Sequence, residues 1–371
     1  MTDDRPTEGQ ARKDSALAGQ SERQPSKQQP SDIQDTAVMT DTPVTPPPPD
    51  LAKRTLPPPD NKGKDNAHRV KHTFTAPLLV LLVYILLLLT RGVDYTAAGT
   101  PTETYLSLVA VQLLVFMLPS VFYIRFRQTD VREELRLRLP TPDKIMFIVL
   151  CSLILIISSV LIGAAQGDYG RSVYSSDRIF SGVGKTDGVD VFIYYAICFA
   201  LVPAISEEML FRGIIMSEYQ RTSVFSAVVI NSLFFAMLHF DLSNFPFYFI
   251  SGLILSMCAY AANSIVASAI AHLGYNLFSI FGGELVTKVV KTVGDMKMIT
   301  LALCALLLLI LALTFGECER IYSSYAKKNR DSFYVVKHKR GEGALRFFAA
   351  LFSPVSLVCI VTFIVVILLQ K

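Results

Sequence analysis

Tryptophan is absent from the 371-residue chain, histidine occurs five times, and the six cysteines (Cys151, Cys198, Cys258, Cys304, Cys318 and Cys359) form no CxxC pair. That cysteine spacing excludes the common zinc-ribbon and thiol-redox motifs, and five of the six sit in apolar runs, where they read as small packing residues. Without tryptophan, anchoring at a membrane–water boundary falls to tyrosine, lysine and arginine. Residues 1–73 contain no Phe, Tyr or Trp, and 11 prolines stand beside 11 basic and 11 acidic residues. Such a segment cannot bury enough apolar surface to offset the entropy of ordering it. It reads as a disordered, Pro-rich cytoplasmic tail, and the lack of an apolar stretch near Met1 argues against a cleaved signal peptide.

Beyond the tail the chain is apolar. Hydrophobic residues make up 51% of the chain and the mean hydropathy is +0.42, too high for an ordinary soluble domain. The apolar residues fall into long runs with few charges, the mark of membrane-spanning helices and far too continuous for barrel strands. An all-α polytopic membrane protein of about 8–9 transmembrane helices is expected, with spans near 74–90, 104–124, 144–165, 189–220, 223–242, 246–262, 264–283, 299–316 and 347–369.

Basic residues orient the spans. Arg125, Arg127, Arg132, Arg136, Arg138 and Lys144 follow the second span, and a basic loop at 317–346 follows the eighth. An even number of spans separates these two clusters, so both can face the cytoplasm together with the N-terminus. The loop at 166–188, with Asp168, Asp177 and Asp187 beside only three basic residues, fits the outer side. The basic loop suits a surface of anionic lipid, and no nucleic-acid partner is expected. The chain thus divides into the tail (1–73), N-terminal helices (74–188), a core (189–283) and C-terminal helices (284–371).

Strongly polar residues are few in the core, and their spacing is informative. Glu207, Glu208 and Arg212 lie in the fourth span, His239 in the fifth, and His272 and Asn276 in the seventh, with Asn231 also intramembrane. Ionisable groups at membrane depth cost several kcal/mol and are functional-site candidates by default. Glu208 and Arg212 are i and i+4 with the acid N-terminal, the favourable order for a helical ion pair. Glu207 points about 100° away around the helix and has no such local partner. Glu207 and His239 are equally far from a turn at Thr222-Ser223, about 24 Å along each helix at 1.5 Å per residue, so a helical hairpin is expected to set them against each other. His272 lies about 13 Å from its own turn on the same reckoning, which leaves a depth mismatch of roughly 10 Å.

A carboxylate, a histidine and a His/Asn pair suit hydrolysis. Glu207 can take a proton from water oriented by His239, and His272 and Asn276 are donors of the kind that stabilise a tetrahedral oxyanion. No Ser or Cys stands in an obvious nucleophile setting, which favours direct attack by water. Three other readings stay open. The polar groups can be helix–helix hydrogen bonds, or a proton relay of a carrier, although no inverted repeat is visible. Glu207, His239 and His272 can also be a catalytic zinc set, against which stand the missing HExxH spacing and the three separate helices; no cofactor is expected.

At these residues the chain resembles the CPBP intramembrane proteases, also called the ABI or CAAX prenyl protease 2 family. The family pattern EExxxR, FxxxH and HxxxN appears here as Glu207-Glu208-Met-Leu-Phe-Arg212, then Phe235-Ala-Met-Leu-His239, then His272-Leu-Gly-Tyr-Asn276, and Gly213 follows the arginine. The match covers roughly 189–283. The resemblance implies a glutamic intramembrane endopeptidase that needs no bound metal, with its site among the fourth, fifth and seventh helices. It implies Glu207 as the activator of water with His239 as its partner, Glu208 and Arg212 as a supporting pair, and His272 and Asn276 as oxyanion contributors. The implied substrate is a membrane-associated peptide, prenylated or of bacteriocin type. A bacterial plasma membrane is the expected location, and a non-catalytic immunity or scaffold protein of the same fold is the alternative.

Overall fold

The computed structural model describes residues 62–91, 101–127, 135–167, 189–220, 223–327 and 342–370, all within one compact unit, Asn61–Lys371. The expected disordered segment up to residue 61, the acidic loop from 168 and the middle of the basic loop (328–341) lie outside the described residues.

Every apolar run expected to span the membrane is helical. Helix α1 is Lys62–Thr90, α2 Tyr105–Arg127, α3 Pro142–Ala165, α4 Phe192–Gln220, α5 Val224–Leu238 and α6 Phe245–Ala262. Helix α7 is Ile265–Phe281, α8 Gly283–Val293, α9 Met296–Lys327, α10 Glu342–Leu351 and α11 Pro354–Leu369. Among the described residues five helices are long and apolar enough to cross a membrane, or up to seven if each bent pair (α7 with α8, α10 with α11) counts as one span. The apolar part of α1, Thr75–Thr90, and α5 are shorter. The chain is an integral membrane protein of α-helices.

Three boundaries differ from expectation. Helix α1 begins at Lys62, inside the segment assigned to the tail, because extending a formed helix costs far less than nucleating one. The fifth span stops at Leu238 rather than 242, since Phe240 takes a left-handed φ of 47° and Asp241 Oδ1 accepts from the backbone N–H groups of Ser243 and Asn244. Helix α9 runs on to Lys327, well into the basic loop. It leaves most of its surface exposed and buries Ile299, Ile310 and Ile321, a spacing of three turns that lines up one stripe. Ile310 of that stripe packs among Leu150, Ile154 and Ile157 of α3.

Side-chain contacts define the two ends of the bundle. At one end, Glu218 near the end of α4 is buried and pairs with Arg127 of α2, and Tyr123 and Thr75 also donate to its carboxylate. At the same end Arg136 donates to Gln220 at 2.6 Å, and the buried Lys144 donates to the Ala262 carbonyl at 2.8 Å, where a cation answers the negative end of α6. At the other end Arg91 approaches the His239 carbonyl, Gln166 donates to Ser243 O at 3.0 Å, and Phe192 stacks on Phe281 at 4.2 Å. The basic residues at the first end belong to the cluster expected in the cytoplasm from their position after the second span.

Candidate active site

Helix α4 does not run as a uniform α-helix. Two π-helical stretches, Ala196–Leu201 and Met209–Ile215, bracket the segment Val202–Glu208 that holds the two carboxylates. In each, a backbone N–H reaches back five residues: Val202 to Ile197, and Met216 to Phe211. A π turn holds an extra residue, so it advances less per residue and turns the following side chains to a different face.

Glu208 and Arg212 are both buried and form the ion pair expected from their spacing, Arg212 Nη1 to Glu208 Oε1 at 2.5 Å. Arg212 Nη2 also donates to the Gly252 carbonyl at 3.2 Å, and the guanidinium lies 4.5 Å over the Phe235 ring. Gly252 is there for closeness: a Cβ would sit 2.7 Å from the Cα of Ser232, so only glycine lets α6 meet α5 at that point. Ser256 adds a second donor to the same carbonyl at 2.7 Å and accepts from Asn231 at 2.9 Å. Asn231 is thereby part of the scaffold that holds Arg212. A buried charge left without such partners is costly, and this network supplies them.

His272 reaches the same carboxylate, with Nδ1 3.0 Å from Glu208 Oε1. The mismatch in depth inferred from sequence is therefore absent, and Glu208 lies between two cationic or cation-forming groups. Because the carboxylate only accepts, Nδ1 of His272 carries the proton, and its Nε2 is not engaged by Glu208. Asn276, one turn on, is fully buried; its Nδ2 donates to Ala200 O at 3.4 Å, inside the first π stretch, and its Oδ1 has no partner.

His239 caps the C-terminal end of α5 and is half-buried, rather than lying inside a span. Its Nδ1 donates to the Phe235 carbonyl at 2.9 Å, which fixes the Nδ1–H tautomer and leaves Nε2 as an acceptor. The imidazole stacks on Tyr248 of α6, with ring centroids 3.7 Å apart. Phe235 stands at the centre: its ring is 5.1 Å from His239, 6.0 Å from His272 and 5.2 Å from Phe211, in addition to carrying Arg212.

Glu207 is 4% exposed, and its Oε2 has no hydrogen-bond partner. No direct hydrogen bond joins Glu207 to His239, whose Nδ1 is spent on the Phe235 carbonyl. The π stretch Met209–Ile215, between Glu207 and the turn, advances less per residue than an α turn, so α4 is slightly shorter there than a count of α-helical residues gives. Among the described residues no three His, Cys, Asp or Glu side chains converge as a metal set. Sequence reasoning missed Tyr248, Gly252 and Ser256, for which spacing carried no signal.

The six candidate residues thus lie on α4, the end of α5, and α7, with Phe235 and Glu208 linking them. Residues 189–278 match the family described as Type II CAAX prenyl endopeptidase Rce1-like. No curated protein and no solved structure matches the chain.

Proposed function

Because residues 189–278 match this CAAX-type membrane endopeptidase family, we propose that the chain is an intramembrane glutamic endopeptidase whose water is activated by Glu207 and His239. The observation that carries this reading is the buried, unpartnered Oε2 of Glu207: the neighbouring Glu208, whose Oε2 is likewise unpartnered, already holds Arg212 and His272 through its Oε1. A buried polar group without a partner calls for an explanation, and a reactant water supplies one. The water donates to Glu207 and to Nε2 of His239, whose tautomer is suited to accept. Glu207 takes the proton as the oxygen adds to the scissile carbonyl carbon. The charge that develops on the carbonyl oxygen meets Nε2 of His272 and the second amide hydrogen of Asn276. For His272 to donate there it must be the imidazolium, and Glu208 is its counter-ion. When the C–N bond breaks, the proton on Glu207 passes to the leaving amine and a carboxylic acid remains.

The proposed substrates are membrane-associated peptides, prenylated or of bacteriocin type, in a bacterial plasma membrane. The N-terminus is cytoplasmic in this reading, with Arg127, Arg136 and Lys144 at the cytoplasmic end. The mechanism needs no cofactor. The test is cleavage of bilayer-anchored peptides, with and without a prenyl group, by the purified chain in proteoliposomes. Glu207→Gln and His239→Ala should each abolish cleavage. Unchanged cleavage by both variants sinks the assignment. Peptide binding without cleavage by the unaltered chain points to an immunity or scaffold protein, and solute uptake lost in Glu207→Gln points to a carrier.

A further inference from the structure

Helix α8, at the edge of the core, has no buried residue. It is built as an independent element. Gly282 makes the 62° bend that separates it from α7, and a Cβ there would sit 2.6 Å from the ring and carbonyl of Phe278. Gly294, at φ 73°, closes its C-terminus with a bond to the Val290 carbonyl at 2.9 Å. Asp295 then starts α9 by accepting from the N–H groups of Lys297 and Met298.

Its sequence is fully segregated. At about 100° per residue, Leu285, Val289, Val293, Val286 and Val290 occupy one continuous arc, and Thr287, Lys291, Glu284, Lys288 and Thr292 the other. Val286 and Val290 are half-buried against the bundle. Leu285, Val289 and Val293 are 61%, 46% and 47% exposed, a second apolar strip that faces no protein among the described residues. Lys288 and Lys291 are on the polar arc.

The position of α8 along the bundle is set by its neighbours. It follows Phe281, which stacks on Phe192 at the start of α4, and it precedes Met296 at the start of α9. Tyr105, at the start of α2, stacks on Tyr194 at 4.9 Å and meets Tyr195 edge-on at 5.8 Å, so tyrosines gather at the same end. Tyrosine concentrates where a bilayer passes from acyl chains to headgroups, and this chain has no tryptophan to do so.

We propose that α8 is an interfacial anchor: it lies in the bilayer surface, with Leu285, Val289 and Val293 inserted among the acyl chains and Lys288 and Lys291 at the level of the lipid phosphates. The bilayer is the occupant because α8 joins two membrane helices, sits level with the tyrosines and matches the make-up of surface-lying helices, apolar on one side and basic on the other. The anchor follows directly on the helix that carries His272 and Asn276. It therefore sets the depth at which those side chains hang.

The absence of tryptophan makes the test clean. Val289→Trp, Leu285→Trp and Lys291→Trp each introduce the only indole in the full chain. Each variant is reconstituted in phosphatidylcholine–phosphatidylglycerol vesicles with or without acyl-chain-brominated lipid. Indoles at 289 and 285 should emit to the blue of the indole at 291 and be quenched at least twofold more strongly by the bromines. Water-like, unquenched emission at 289 and 285 overturns the proposal in favour of a solvent-exposed helix. Blue emission without bromine quenching overturns it in favour of a protein contact, such as a second copy of the chain.

Discussion

The imidazole of His239 and the ring of Tyr248 lie face to face, 3.7 Å between centroids and 15° from parallel. The Phe235 carbonyl holds the histidine by its Nδ1–H and the tyrosine holds it by its face, so the ring has one orientation in which to present Nε2. An aromatic pair of this kind contributes about 0.5–1.5 kcal/mol beyond area burial. Tyr248→Phe should keep the stack and near-normal turnover. Tyr248→Leu should lower kcat by up to about tenfold with little change in KM, because the group being positioned acts in the reaction step rather than in binding. Equal losses in both variants would place the effect on the hydroxyl instead.

The two adjacent glutamates should separate cleanly. Glu207→Gln removes a carboxylate whose Oε2 makes no hydrogen bond, so the fold should tolerate it while activity falls by about 10² to 10⁴, the usual range for a general base. Glu208→Gln leaves Arg212 and His272 buried without their counter-charge, and breaking a buried pair costs about 3–5 kcal/mol. Thermal or denaturant unfolding in detergent micelles, run beside the cleavage assay, distinguishes the two. A Glu208→Gln protein as stable as the original would contradict the supporting role given to that residue.

Gly252→Ala tests the scaffold behind Arg212. The added methyl carbon meets the Ser232 backbone at 2.7 Å, where no flexible side-chain end can yield. Helices α5 and α6 must part, which carries the Gly252 carbonyl away from Arg212 and Tyr248 away from His239. A loss of about 1–3 kcal/mol is expected, as for overpacking elsewhere, together with reduced turnover. Ser256→Ala, which removes one donor from the same carbonyl and the partner of Asn231, should cost about 1 kcal/mol.

Metal removal should leave the rate unchanged. The Nδ1 atoms of His239 and His272 are held by Phe235 O and Glu208, and the proposed chemistry is proton transfer through Glu207. A chelator that abolishes cleavage, with recovery on adding zinc, would turn Glu207, His239 and His272 into a ligand set.

Much of this protein was legible in the sequence because it depends on spacing along one helix. Long apolar runs had to be helices, since lipid offers backbone groups no other partner. Glu208 and Arg212, four residues apart, meet across one turn, and Phe235 and His239 share a face for the same reason. The presence of three motifs in order also sufficed to single out the family that residues 189–278 match. Spacing could not supply how one helix meets another. The π stretches of α4 shift the register on both sides of Val202–Glu208, and no propensity rule marks them. His272 reaches Glu208 although a count of residues from its turn sets it too far away. Tyr248 and Gly252 matter through the facing helix, a histidine ring in one case and a backbone carbon in the other. The sequence by itself determined which segments are helices, which of their charges pair locally, and that carboxylate and histidine side chains sit within the core. Only the tertiary structure decided which histidine is bound to which glutamate and that Glu207 keeps an unpartnered oxygen, because those facts depend on helix crossing and turn geometry rather than on the order of residues.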